Sequence, residues 1–127
     1  MPEDKPQRRS RPAYALVYAA MIPIIQEIGR DLGYAVAVHG SMATDLDLLA
    51  CPWTEEATDP ETLIKAISER FHCIYQESHQ TNPAIKPHGR LAWAIMFDPS
   101  DDYAIGGPYL DISVMPRNEG CRGGDGA

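Results

Sequence analysis

Cysteine is scarce and unpatterned in this chain. Cys51, Cys73 and Cys121 are odd in number and form no CxxC pair, which excludes a disulfide framework and a zinc ribbon. His72, Cys73 and His79 lack a zinc-ligand spacing as well. Long apolar runs are missing: no stretch approaches the roughly 18 residues that a spanning helix needs. The N-terminus offers no secretory signal, because Pro2, Glu3, Asp4, Lys5 and Pro6 lead into Arg8 and Arg9 without an apolar core. A cytoplasmic home is the expectation. Basic residues are also in deficit, 11 Lys and Arg against 18 Asp and Glu for a net charge of −7. Lys5, Arg8, Arg9 and Arg11 lie in the first 12 residues, so the remainder is more acidic still. Such a globule repels a phosphate backbone, which argues against sequence-independent DNA binding by the folded part.

What is present suits one soluble domain. The 127 residues are 44% apolar and 23% charged, enough to bury one core and too few for two. Residues 1–12 and 118–127 are polar and rich in Pro or Gly, and are expected to be a disordered arm and a disordered tail around a domain at 13–117. Within that domain Ala13–Leu32 reads as a helix with Leu16, Ala20, Ile24 and Ile28 at helical spacing, stopped by Gly33 and kinked or broken by Pro23. Tyr34–Val38 and Asp45–Cys51 read as strands. Thr58 or Asp59 caps a helix with Pro60 at its first position and Leu63, Ile64, Ile67 and Phe71 on its buried stripe, ending near His72. A loop with Asn82, Pro83, Pro87 and Gly89 precedes strands at Leu91–Phe97 and Tyr109–Val114, which a long loop over 98–108 joins. This order predicts an α+β domain, a small mixed sheet with helices on one face.

The chemistry concentrates in "HGSMATDLDLL", residues 39–49. Alternation along a strand sends Asp45 and Asp47 to one face and Leu46 and Leu48 to the other. Two carboxylates about 7 Å apart on a strand either stand in open water or share a cation. In "GGPYLDISVMPR" a lone Asp111 sits among Leu110, Ile112 and Val114, with Tyr109 and Ser113 on its own face. Were that strand near the second one, Asp111 would complete a three-carboxylate cluster. Hard cations such as Mg²⁺ take oxygen ligands, and paired ions can clamp the attacking and leaving oxygens of a phosphoryl transfer.

This pattern, an apolar strand, a Gly-Ser turn, Asp-x-Asp and a later isolated Asp, resembles the nucleotidyltransferase fold of the DNA polymerase beta superfamily over Tyr34 to Met115. "GRLAW" and "DISVMPR" are also similar to segments of small bacteriophage and prophage proteins, which implies a bacterial or phage-infected cell. The superfamily resemblance implies that Gly40 and Ser41 contact nucleotide phosphates. It further implies that Asp45, Asp47 and Asp111 are catalytic and hold Mg²⁺ or Mn²⁺, with Asp111 also activating the acceptor hydroxyl. The implied reaction moves NMP from an NTP to a hydroxyl of RNA, a protein or a small molecule. The family has a longer spacer between the Gly-Ser turn and the first Asp. Here only Met42, Ala43 and Thr44 intervene, too few for several free N–H groups to cradle a triphosphate at a helix N-terminus. A non-catalytic relative binding a nucleotide, a nucleic-acid end or a protein partner is therefore the competing expectation.

Lys86, His88 and Arg90 gather beside Trp93 in "IKPHGRLAW", either neutralising a triphosphate or acceptor or forming a solvated loop around a core Trp. His39 reads as a strand-end residue more readily than a ligand. Trp53 reads first as a hydrophobic plug at the sheet end and second as a base-stacking residue. Cys51 and Cys73 read as buried apolar residues. So small a domain has little surface for both NTP and acceptor, so a homodimer or a separate partner protein would complete the cleft.

Overall fold

A computed structural model describes residues 12–43, 45–71, 83–96 and 109–117. Residues 1–11 of the arm expected at 1–12, the expected tail at 118–127, the loop over 98–108, and His72, Cys73, His79 and Asn82 lie outside the described residues, while Pro12, the last residue of that arm, is the first of the opening helix. The chain forms helix α1 (Pro12–Asp31), strands β1 (Tyr34–His39) and β2 (Leu46–Pro52), and helix α2 (Pro60–Arg70). Strands β3 (Ala84–Ile85), β4 (Leu91–Met96) and β5 (Tyr109–Val114) follow, with a 3-10 turn at Pro87–Gly89. The architecture is α+β: one open mixed sheet in the order β1-β2-β5-β4-β3, with both helices on one face.

Local chemistry explains the element ends. Helix α1 gives way at Gly33, whose φ of +94° suits glycine, and an added Cβ there would lie 2.5 Å from Ala57 Cα. The Gly33 carbonyl then accepts from Trp53 N and Thr54 N, tying the start of β1 to the end of β2. Asp59 caps α2, its Oδ1 accepting from Thr62 N at 3.1 Å, and Pro60 takes the first helical position where no N–H is required. Beyond β5, Met115 N continues the ladder onto Ala50 O, and the Arg117 guanidinium bonds the carbonyls of Glu55 and Ala57.

The core lies between the helices and one sheet face, built from Tyr18, Met21 and Ile25 of α1, Leu63, Ile64 and Ile67 of α2, and Leu46, Leu48, Trp93, Ile95, Leu110, Ile112 and Val114 of the sheet. Each large side chain fully buried there contributes roughly 1.5–3 kcal/mol. The α1 stripe differs from the expected one: Leu16 is 76% exposed and Ala20 is exposed. Helix α1 is apolar on nearly every side from Ala13 to Ile25, so periodicity left its rotation open, and Tyr18, Met21 and Ile25 face the sheet. Pro23 does not break the helix. It lies on the exposed side, as does Ala19, so the carbonyl that loses its partner faces water. The segment read as a loop before Leu91 contains the short edge strand β3, antiparallel to β4. Two residues are too few to carry a strand signal. No helix among the described residues is long and apolar enough to cross a membrane.

Candidate metal centre

The candidate site grows from the start of β2 and β5. These strands are parallel neighbours, and their register sets Asp47 directly beside Asp111. Paired residues share a sheet face, and the alternation of β2 and β5 commits Leu46, Leu48, Leu110 and Ile112 to the core, all at most 1% exposed. Asp47 and Asp111 must therefore project from the opposite face. Asp45, at the bend that enters β2, completes the group. One carboxylate oxygen from each of the three lies within 4.8 Å of the others, and all three residues are half-buried.

Electrostatics favours a cation there. Two unit charges at that separation repel by about 1 kcal/mol in water and about 3 to 4 kcal/mol at an effective dielectric of 20. Ligand oxygens 2.0–2.1 Å from Mg²⁺ stand about 3 Å apart when adjacent and about 4.2 Å when opposite. An all-oxygen donor set suits Mg²⁺ or Mn²⁺.

The turn between β1 and β2 borders this cluster. His39 pairs with Asp47 across the ladder, so the exposed His39 lies on the same face, one strand outward. Gly40 follows with φ +84°, and an added Cβ would stand 2.6 Å from Asp47 Oδ2. Ser41 Oγ accepts from Ala43 N at 3.2 Å. Met42, with φ 63°, packs against the hydrophobic core. Residues 40–43 form bends and no helical turn.

Of the expected basic group, Arg90 lies on this face and Lys86 and His88 do not approach it in any described contact. Arg90 is half-buried, and its Nη1 donates to Ser113 Oγ at 3.3 Å while Nε donates to Pro87 O at 3.2 Å. Ser113 is 6% exposed and stands two residues beyond Asp111 on the same face of β5, about 7 Å along the strand. Ala94 is the β4 neighbour of Asp111 and Ala92 that of Ser113, so small side chains flank both residues. Lys86, just before the 3-10 turn, and His88 within it are exposed.

Two expectations are corrected. Trp53 is no plug: it is 78% exposed, because Tyr34 closes the sheet end from β1, its hydroxyl donating to Thr58 O at 2.5 Å. Cys51 is a free thiol but half-buried rather than buried, since it points to the face without the helices. The close approach of Gly40 to Asp47 and the contact of Arg90 with Ser113 escaped the sequence reading. The first had a signal in the glycine itself, and the second required the β4–β5 register. No protein-family model matches the chain, and no curated protein matches it.

Proposed function

We propose that the chain is a minimal metal-dependent nucleotidyltransferase. The observation that carries this reading is the direct pairing of Asp47 with Asp111 on neighbouring strands, with Asp45 within reach of both and a Gly-Ser turn against Asp47. Asp45, Asp47 and Asp111 would hold Mg²⁺ or Mn²⁺, which when bound neutralises phosphate charge. The Gly40–Ser41 turn and the Arg90 guanidinium border the same face and offer donors to the phosphates of an NTP. The acceptor hydroxyl attacks the α-phosphorus in line, the bond to the β-phosphate oxygen breaks, and pyrophosphate leaves. Asp111 takes the hydroxyl proton. Positioning and charge neutralisation supply most of the rate in such a transfer.

A second reading has its own observation. Only Met42, Ala43 and Thr44 separate Ser41 from Asp45, no helical turn forms at 40–43, and the Ala43 N–H is already engaged by Ser41. A site with so few free N–H groups suits a non-catalytic protein that binds a nucleotide, a nucleic-acid end or a protein partner.

Incubation with each α-³²P-labelled NTP, Mg²⁺ or Mn²⁺, and total cellular RNA and protein separates the two. Label transferred by the unsubstituted chain and not by Asp45→Ala/Asp47→Ala supports the enzyme and reveals whether RNA or protein is the acceptor. NTP binding without transfer, in a folded chain, favours the binder.

A further inference from the structure

We infer that Gly40 is a positioning residue for the Asp47 carboxylate, a role distinct from any contact with phosphate. The inference rests on the reading of Asp45, Asp47 and Asp111 as a divalent-cation site. An aspartate carboxylate rotates over a broad, roughly two-fold torsional profile, so its orientation depends on the space that its neighbours leave. Gly40 leaves such a space on one side of Asp47. An added Cβ there would stand 2.6 Å from Oδ2 and 3.5 Å from both Cβ and Cγ of Asp47.

The turn that carries Gly40 is anchored on both sides. Upstream, His39 is held opposite Asp47 by the β1–β2 ladder. Downstream, Met42 adopts φ 63°, rare for a side chain of its size, and packs against the core. The Ser41 hydroxyl closes the turn on Ala43 N. A methyl group at residue 40 would fall on Oδ2, the far end of the Asp47 side chain, so the carboxylate moves out of the trio more readily than the anchored turn moves away from it. Groups that orient a metal ligand typically change metal affinity by 10- to 100-fold when altered.

Mn²⁺ affinity and thermal unfolding of four chains test this: unsubstituted, Gly40→Ala, Gly89→Ala and Asp47→Ala, with the Gly40→Ala/Asp47→Ala double variant for the unfolding cycle. Gly89 also has a positive φ, +75°, but its added Cβ would meet only Pro116, so it controls for backbone strain. The expected result is at least about a ten-fold loss of Mn²⁺ affinity in Gly40→Ala and none in Gly89→Ala. Equal affinity of the unsubstituted and Gly40→Ala chains overturns the inference. Gly40→Ala should also lower the unfolding temperature less when Asp47 is Ala than when it is Asp, and equal losses overturn the positioning role. Should Gly40→Ala alone fail to fold, recovery of folding in the double variant supports the clash, and failure of both contradicts it. Absence of Mn²⁺ binding by the unsubstituted chain sinks the metal-site reading, while the unfolding cycle still decides whether Gly40 sets the carboxylate.

Discussion

Asp47 and Asp111 stand side by side across the parallel β2–β5 ladder, two acidic residues in direct register. Like charges in adjacent strands destabilise a sheet, and a divalent cation shared between them reverses that sign. Millimolar Mg²⁺ should raise the unfolding temperature, while NaCl at matched ionic strength should not. Stabilisation grows as the logarithm of ligand concentration and reaches about 2.7 kcal/mol at one hundred times the dissociation constant. Asp111→Asn should flatten the Mg²⁺ response, and an unaltered response in that variant contradicts the assignment.

Ser68 is buried on α2 at 1% exposure, and its hydroxyl has no hydrogen-bond partner among the described residues. Burying such a group without a partner costs roughly 1–3 kcal/mol, and Ala is the better helix former. Ser68→Ala should stabilise the fold by about 1 kcal/mol. A urea midpoint that moves up with an unchanged slope is the expected record, and a fall of similar size would show that the hydroxyl is engaged in solution.

Asp59 is held below its ordinary carboxylate pKa by the side-chain hydrogen bond from Thr62, then by the Thr62 backbone N–H. A group whose pKa is lowered by folding contributes stability that is present above its unfolded pKa, near 3.8, and is lost as pH falls through the lower folded value. Asp59→Ala should cost about 1 kcal/mol at pH 7. The gap between the two chains should narrow below pH 4 as the cap of the unsubstituted protein is protonated, and a gap constant down to pH 2 contradicts the cap's contribution.

Tyr34 shows the opposite sign. Desolvation raises its pKa above 10.0, with Arg117 opposing the rise. Its contribution is complete below the unfolded value and declines as pH climbs through the folded one. Tyr34→Phe removes the hydrogen bond to Thr58 O and should cost about 1 kcal/mol at pH 7. Unfolding curves of the two chains should converge above pH 10, and a difference that persists there would assign the effect to packing alone.

Trp53, just beyond β2, and Trp93 in β4, at 78% and 3% exposure, provide paired reporters of the fold. Trp53→Phe should leave a blue-shifted emission that iodide barely quenches, with stability within about 0.5 kcal/mol of the unsubstituted chain. Strong quenching of the remaining signal would mean that Trp93 is not in the core.

Much of this arrangement was legible in the sequence because short-range patterns determine it. Alternation at Leu46 to Leu48 and at Leu110 to Ile112 fixed which way each Asp points, and Asp59 with Pro60 fixed the start of α2. The α1 stripe was illegible because that helix is apolar on almost all sides, so only the sheet it packs on selects Tyr18, Met21 and Ile25. The proximity of Asp111 to Asp47 depends on strand order, which no local pattern carries, and stood as a condition until the β2–β5 register met it. Arg90 and Ser113 meet for the same reason, through β4 lying beside β5. Gly40 was visible as a turn residue, but its closeness to Asp47 comes from the pairing of His39 with Asp47.

Direct titration with Mn²⁺, followed by the electron paramagnetic resonance signal of the free ion, measures whether the three carboxylates hold a divalent cation. Saturable binding by the unsubstituted chain, abolished in Asp45→Ala/Asp47→Ala while its unfolding transition stays cooperative, is the expected result. No binding, or equal binding by both chains, would contradict it.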